Sequence, residues 1–97
     1  MSSYEWDAAK ALQNQAKHGI SFDEAASALL GVTIMAPSPR GGENRFASLC
    51  ECKGQLIVVV WTPRLGTIRI ISARAARKNE QAHYYQSVRR SVEAREH

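Results

Sequence analysis

The first residues in this chain whose type and spacing suggest chemistry are arginines set among isoleucines. Thr67-Ile68-Arg69-Ile70-Ile71-Ser72-Ala73-Arg74-Ala75-Ala76-Arg77 reads as a strand, and side chains alternate along a strand. Arg69 therefore emerges on the face opposite Ile68 and Ile70, where its charge requires water or an anion. With Arg64 in the preceding loop and Arg74 and Arg77 at the strand's end, the set suits phosphate, which a guanidinium binds as a planar fork. The alternative is an arginine that is simply solvated or paired with a carboxylate. A second candidate wall comes from the N-terminal part. Lys10, Asn14, Lys17 and His18 recur at three- and four-residue spacings and share one helix face, which in the plainer reading is only a solvated surface.

The charge distribution supports an anionic partner. Of the net charge of +4, residues 1–63 contribute −1 and residues 64–97 contribute +5. A basic last third points to nucleic acid or to the acidic surface of another protein. The 97 residues and 44% hydrophobic content describe one globular domain, 1–97, too short for separate cofactor and substrate domains. No apolar run is long enough to span a membrane, and Met1 to Asp7 do not resemble a signal peptide, so a cytosolic chain without membrane association is expected. Cys50 and Cys52 stand one residue apart in a strand, unsuited to an unstrained disulfide, and are read as reduced thiols. No acidic or Cys/His cluster has ligand spacing, so no metal or other cofactor is expected.

These side chains need elements to hold them. Asp7 is suited to cap a helix from Ala8 to about His18 that Gly19 stops, with Trp6, Ala9, Leu12 and Ala16 as an inward stripe. Ser21-Phe22-Asp23-Glu24 is a capping box opening a second helix that runs to Gly31. Strands are expected over Val32–Ala36, Asn44–Cys52, Leu56–Trp61 and from Thr67, with a loop at 37–42, a hairpin at Lys53-Gly54 and a breaker at 62–66. Leu56 to Trp61 is apolar throughout, as a strand covered on both faces would be. A last helix from Lys78 to Ala94 has Tyr85, Val88 and Val92 as its apolar stripe, with Arg77, Lys78, Arg89, Arg90 and Arg95 outside it. The fold class is α+β: two N-terminal helices, a four-stranded antiparallel meander and a C-terminal helix, one sheet face sealed by helices and the other carrying arginine. The two tryptophans sit in apolar surroundings and read as core more readily than as base-stacking groups.

Several blocks together resemble the BrnT toxins of bacterial type II toxin–antitoxin systems. They are Tyr4-Glu5-Trp6-Asp7, Lys10, Asn14, the run from Lys17 to Ala25, Glu43-Asn44-Arg45, Val58 to Thr62 with Arg64, Arg69 to Arg74, Glu80 and Tyr84. The resemblance spans nearly the whole chain. It implies a RelE-like fold and a ribonuclease that arrests translation. It also implies a BrnA-like antitoxin that neutralises the toxin and represses the shared operon, so that DNA is contacted only through the complex. Two departures stand out. The loop from Ala36 to Gly42 lacks the Asp and His common in the family, which leaves it without a catalytic candidate. Arg77 stands where a capping Thr is common, which costs the last helix about 1 kcal/mol.

Metal-independent RNA cleavage requires a base for the 2′-hydroxyl, an acid for the leaving 5′-oxygen, and positive charge at the pentavalent phosphorus. Arg69, Arg64 and Arg45 are the candidates for charge. His18, of the residue type that titrates near neutrality, is the first candidate for proton transfer, and Glu43 is the second candidate for base. Lys10 and Lys17 add charge or a proton, and Arg74 and Arg77 extend the surface toward backbone phosphate or the antitoxin. His18 has a plainer role available in offsetting the dipole at a helix end, and Glu43 in an exposed ion pair with Arg45 or Arg64. A binding module without catalysis, holding RNA or antitoxin through the same arginines, is the competing class.

Overall fold

A computed structural model describes residues 3–95, with side chains as far as Val92. The side chain of Arg95, assigned above to the polar side of the last helix, lies outside the described residues, as do Met1 and Ser2. The elements run β1 (Ser3–Glu5), α1 (Ala8–His18), α2 (Phe22–Ala28), β2 (Ile34–Pro37), β3 (Phe46–Cys52), β4 (Gln55–Arg64), β5 (Thr67–Ala75) and α3 (Lys78–Arg95). The class is α+β as expected, but the sheet is five-stranded and mixed, in the order β1-β5-β4-β3-β2. The missed strand is β1, which pairs parallel with β5. Three residues, two of them polar, carry no readable alternation.

The local signals act as their chemistry requires. Asp7 accepts from the Lys10 N–H at 3.0 Å, and Gly19 ends α1 at φ 72°. Ser21 and Glu24 close the capping box with two 3.1 Å bonds. α2 stops at Ala28, three residues short of Gly31. Both tight hairpins, Lys53-Gly54 and Leu65-Gly66, take positive φ at both positions, the geometry that matches strand twist. The expected break at Thr62 does not occur, because β4 continues through Pro63 to Arg64. β3 begins at Phe46 opposite Trp61, so at Pro63 β4 is locally an edge, and no ladder partner needs the missing N–H.

The sheet separates two apolar clusters. On one face Phe22, Ala25 and Ala28 of α2, with Ile20, pack on Cys50, Ile57, Val59, Ile70 and Ala73. On the other, Tyr84 of α3 packs with Leu49, Leu56, Val58 and Ala76. β4 feeds both, which accounts for its unbroken apolar run. The seal is thus not one-sided: α3 also covers one end of the arginine-bearing face. Its apolar contact is made by Tyr84 and Val88, whereas Tyr85 and Val92 of the expected stripe are 56% and 49% exposed.

α1 also departs from expectation. Leu12 is 70% exposed and Ala9 and Ala16 face solvent, while Asn14 is buried. β1 covers β5 only as far as Arg69, and beyond it the outer edge of β5 is open. Asn14 fills that gap. Its side-chain carbonyl accepts from the Ala73 N–H at 3.1 Å, while its amide donates to the Ala73 carbonyl at 2.9 Å and the Ile20 carbonyl at 3.1 Å. A sheet edge must be paired or covered, and one carboxamide serves here as a substitute strand. That requirement outranks the apolar stripe and sets Asn14, with Ala11 of the same helix, against the sheet while Lys10, Lys17 and His18 stay exposed.

Candidate active site

A β-bulge decides which arginines share a face. Between Val60, opposite Ser72, and Trp61, opposite Ile70, the register skips Ile71. The extra residue restores parity: Arg69 opposite Thr62 and Arg74 opposite Val58 lie on the same side of the sheet although five residues apart. Arg64, paired with Thr67, is on that side too. α3 takes the end carrying Arg74, which leaves the end carrying Arg64 and Arg69 open.

Four segments converge on the open end. β1 places Glu5 opposite Arg69, and a carboxylate oxygen of Glu5 stands 3.4 Å from the guanidinium of Arg69, a long and loose pair. The loop 38–44 is tied by its own backbone hydrogen bonds. Arg40 and Glu43 exchange backbone bonds of 3.0 and 3.2 Å around Gly41-Gly42, and Ser38 donates its N–H to the Arg45 carbonyl. This folded-back arm delivers Glu43 to Arg45, whose Nε donates to it at 2.6 Å. The bond from Arg45 holds the Glu43 carboxyl below its ordinary range against some desolvation, and the charges of Arg45, Arg64 and Lys10 act in the same direction. Glu43 is therefore an anion within the electrostatic reach of three cations. Asp7 is lowered chiefly by its bond from the Lys10 N–H, with smaller contributions from the charges of Lys10 and Arg69.

α1 supplies the remaining wall. Lys10, Lys17 and His18 line one open pocket with Arg45, Ile71 and Ser72. Of the residues singled out in the sequence, Arg45, Glu43, Arg64, Lys10, Lys17, His18 and Arg69 thus gather around one half-face. Asn14, grouped with them by spacing, is committed to the edge of β5. Arg74 lies apart: its two terminal nitrogens donate to the two carboxylate oxygens of Glu80 at 2.8 and 2.9 Å. Those bonds hold Glu80 down to about 2, with help from the Arg77 N–H, and raise Arg74. Glu80 thereby replaces half of the missing capping box at Arg77, which itself is exposed at the start of α3.

Two site residues escaped the sequence reading. Glu5 belongs to a block noted for its resemblance, but only the parallel register of β1 brings it to Arg69. Ser72 joins the pocket through the bulge, which no local pattern announces. The tryptophans lie on the opposite face. Trp6 meets Phe22 edge-on, and Trp61 stacks on Phe46 at 4.9 Å and donates to the Ser48 hydroxyl. Cys50 and Cys52 are free thiols, and burial raises Cys50 to about 11. Among the described residues no three His, Cys, Asp or Glu side chains converge as a metal site would require, and no helix is long and apolar enough to cross a membrane.

A family model described as the ribonuclease toxin BrnT of type II toxin–antitoxin systems matches residues 6–80. No curated protein matches the chain. The matched segment runs from Trp6 to the first turn of α3 and contains every member of the half-face cluster except Glu5.

Proposed function

The chain belongs to the BrnT family of type II ribonuclease toxins, and from that premise we propose that it cleaves RNA without a metal, by attack of the 2′-hydroxyl on the adjacent phosphorus. The observation that carries this reading is the convergence of Arg45, Arg64 and Arg69 on one open half-face with an anionic Glu43 and with His18 at its wall. Arg69 and Arg64 hold the non-bridging oxygens of the phosphate, and Arg45 adds charge from the position just before β3. A guanidinium aimed at oxygens that gain charge in the transition state lowers the barrier more than it tightens binding. His18 and Glu43 exchange the two protons, one taken from the 2′-hydroxyl and one given to the departing 5′-oxygen. Lys10 and Lys17 bring further charge, and Arg77 extends the basic surface along the RNA backbone.

In this reading the products carry 2′,3′-cyclic phosphate and 5′-hydroxyl ends, and cleavage in the cytoplasm arrests translation. A BrnA-like antitoxin neutralises the protein by covering the basic half-face, and the complex, through the antitoxin, represses the operon. The test is incubation of the partner-free protein with end-labelled RNA and chelator. The expected result is cyclic-phosphate termini that disappear in Arg69→Ala. Intact RNA under these conditions and in the presence of ribosomes would sink the catalytic assignment.

A further inference from the structure

The arginine-bearing face holds a second concavity outside the half-face cluster. Between the first half of α3 and the sheet lies a groove of about 260 Å³, with Ala36, Ala47, Leu49 and Val58 as floor and Asn79 and His83 on its helical wall. One cross-strand row, Ala36–Ala47–Val60–Ser72, runs in register from β2 to β5. Ser72 also lines the basic pocket under Lys10, Lys17 and Arg45. None of the four is buried, so an accessible row of four residues leads from the groove, which Ala36 and Ala47 line, to the basic pocket, which Ser72 lines.

We propose that this groove is a subsite for one unpaired nucleobase of the RNA strand whose phosphate lies on Arg45, Arg64 and Arg69. The proposal rests on the RNA-cleaving reading and adds how the strand is oriented across the face. The groove is smaller than the roughly 300 Å³ at which pockets for drug-sized ligands begin, which suits a single flat ring system. Unpaired bases are bound by stacking and by hydrogen bonds to their edges. The floor offers apolar surface, His83 a ring, and Asn79 a carboxamide with both donors and an acceptor, the pairing that base edges present. Glu80 also lines the groove, but its charge is met by both nitrogens of Arg74, so no unpaired anion repels the strand. An apolar side chain of a protein partner would fit the floor, yet it would leave the polar wall unused and would make no use of the accessible row toward the basic pocket.

The test measures binding of a 2′-O-methylated single-stranded pentaribonucleotide, which cannot be cleaved, and of five counterparts each lacking one base. In the wild type, loss of the base at one position is expected to weaken binding about tenfold, the lower range for one stacked base. Ala47→Phe, which fills the groove, should bind the intact oligonucleotide as weakly as the wild type binds the abasic one. Its salt dependence should be unchanged, because no phosphate contact is lost. His83→Ala, at an exposed position, should give a smaller loss at the same base. Equal affinity for all six oligonucleotides in the wild type overturns the subsite. So does an Ala47→Phe variant that binds RNA as the wild type does, which would leave the groove to a protein partner. Cleavage of ordinary RNA without a base effect sinks the subsite alone. A base effect without cleavage, ribosomes included, keeps the subsite and sinks the ribonuclease reading.

Discussion

Arg69 and Arg74 occupy the same strand and the same face, yet the fold treats them oppositely. Arg74 is held by two short parallel bonds to Glu80 and sits under the start of α3, with 28% of its side chain exposed. Arg69 is equally shielded at 29%, but the acid it pairs with, Glu5, stands 3.4 Å away on the three-residue strand β1. Burial does not distinguish them; partner geometry does. A bidentate acid in the first turn of α3 fixes a guanidinium as part of the fold, whereas one long contact to an acid on an edge strand leaves most of its donors for a ligand. Arginine content alone therefore does not locate a phosphate site.

The largest expected effect tests that difference directly. Arg69→Ala should lower RNA cleavage by about 10²–10³-fold, the usual consequence of removing one transition-state donor, while the Tm stays within a few degrees. Arg74→Ala should do the reverse, with a clear fall in Tm and cleavage within severalfold. If both variants lose activity alike, the two arginines form one functional set and the contrast fails.

Next comes the strand that carries both. Asn14→Ala leaves the Ala73 N–H and two carbonyls without their partner at a buried edge, and should cost about 2–4 kcal/mol in denaturant unfolding. Asn14→Asp tests the same point, since a carboxylate accepts from Ala73 but donates to neither carbonyl. A loss below about 1 kcal/mol would show that water replaces the carboxamide without penalty.

The Arg74–Glu80 pair also makes a pH prediction. Glu80 sits at about 2 in the folded chain against about 4.3 in an unfolded one, so the unfolded state binds the extra proton first as pH falls. The stability from this pair is fully present above the unfolded value and is lost between about 4.3 and 2. After allowance for solvent screening it amounts to about 1–2 kcal/mol. Glu80→Gln should remove that part of the acid-side loss. Glu24, also held to about 2, chiefly by Lys53 and then by the Ser21 cap, titrates in the same window, so some loss should persist in Glu80→Gln.

The smallest effect belongs to Glu5. Glu5→Gln should change stability by no more than about 0–1 kcal/mol, as for exposed pairs, and should tighten RNA binding slightly by removing an anion beside Arg69. Weaker RNA binding would mean that Glu5 positions Arg69 instead of competing for it.

Much of this was legible without coordinates because it depends on neighbours in the chain. Asp7 and the Ser21–Glu24 box had to cap helices, Lys53-Gly54 had to turn, and the run from Leu56 to Trp61 had to lie between two layers. Local chemistry of caps, turns and alternation determines such features wherever the rest of the chain goes. The basic last third and the resemblance blocks likewise carried Arg45, Arg64, Arg69 and His18 as candidates. What the sequence could not contain was the pairing of distant segments. β1 is too short to read and exists because β5 offers it an edge. Asn14 is buried because that edge is left open past Arg69, a need that overrides the apolar stripe of α1. The bulge at Ile71 puts Arg74 on the face of Arg69, and the position of α3 then closes one end of that face and leaves the other open. Sequence determined which side chains were available, and tertiary structure decided which partners each one meets and how closely, because partnership in a sheet is set by register between strands far apart in the chain.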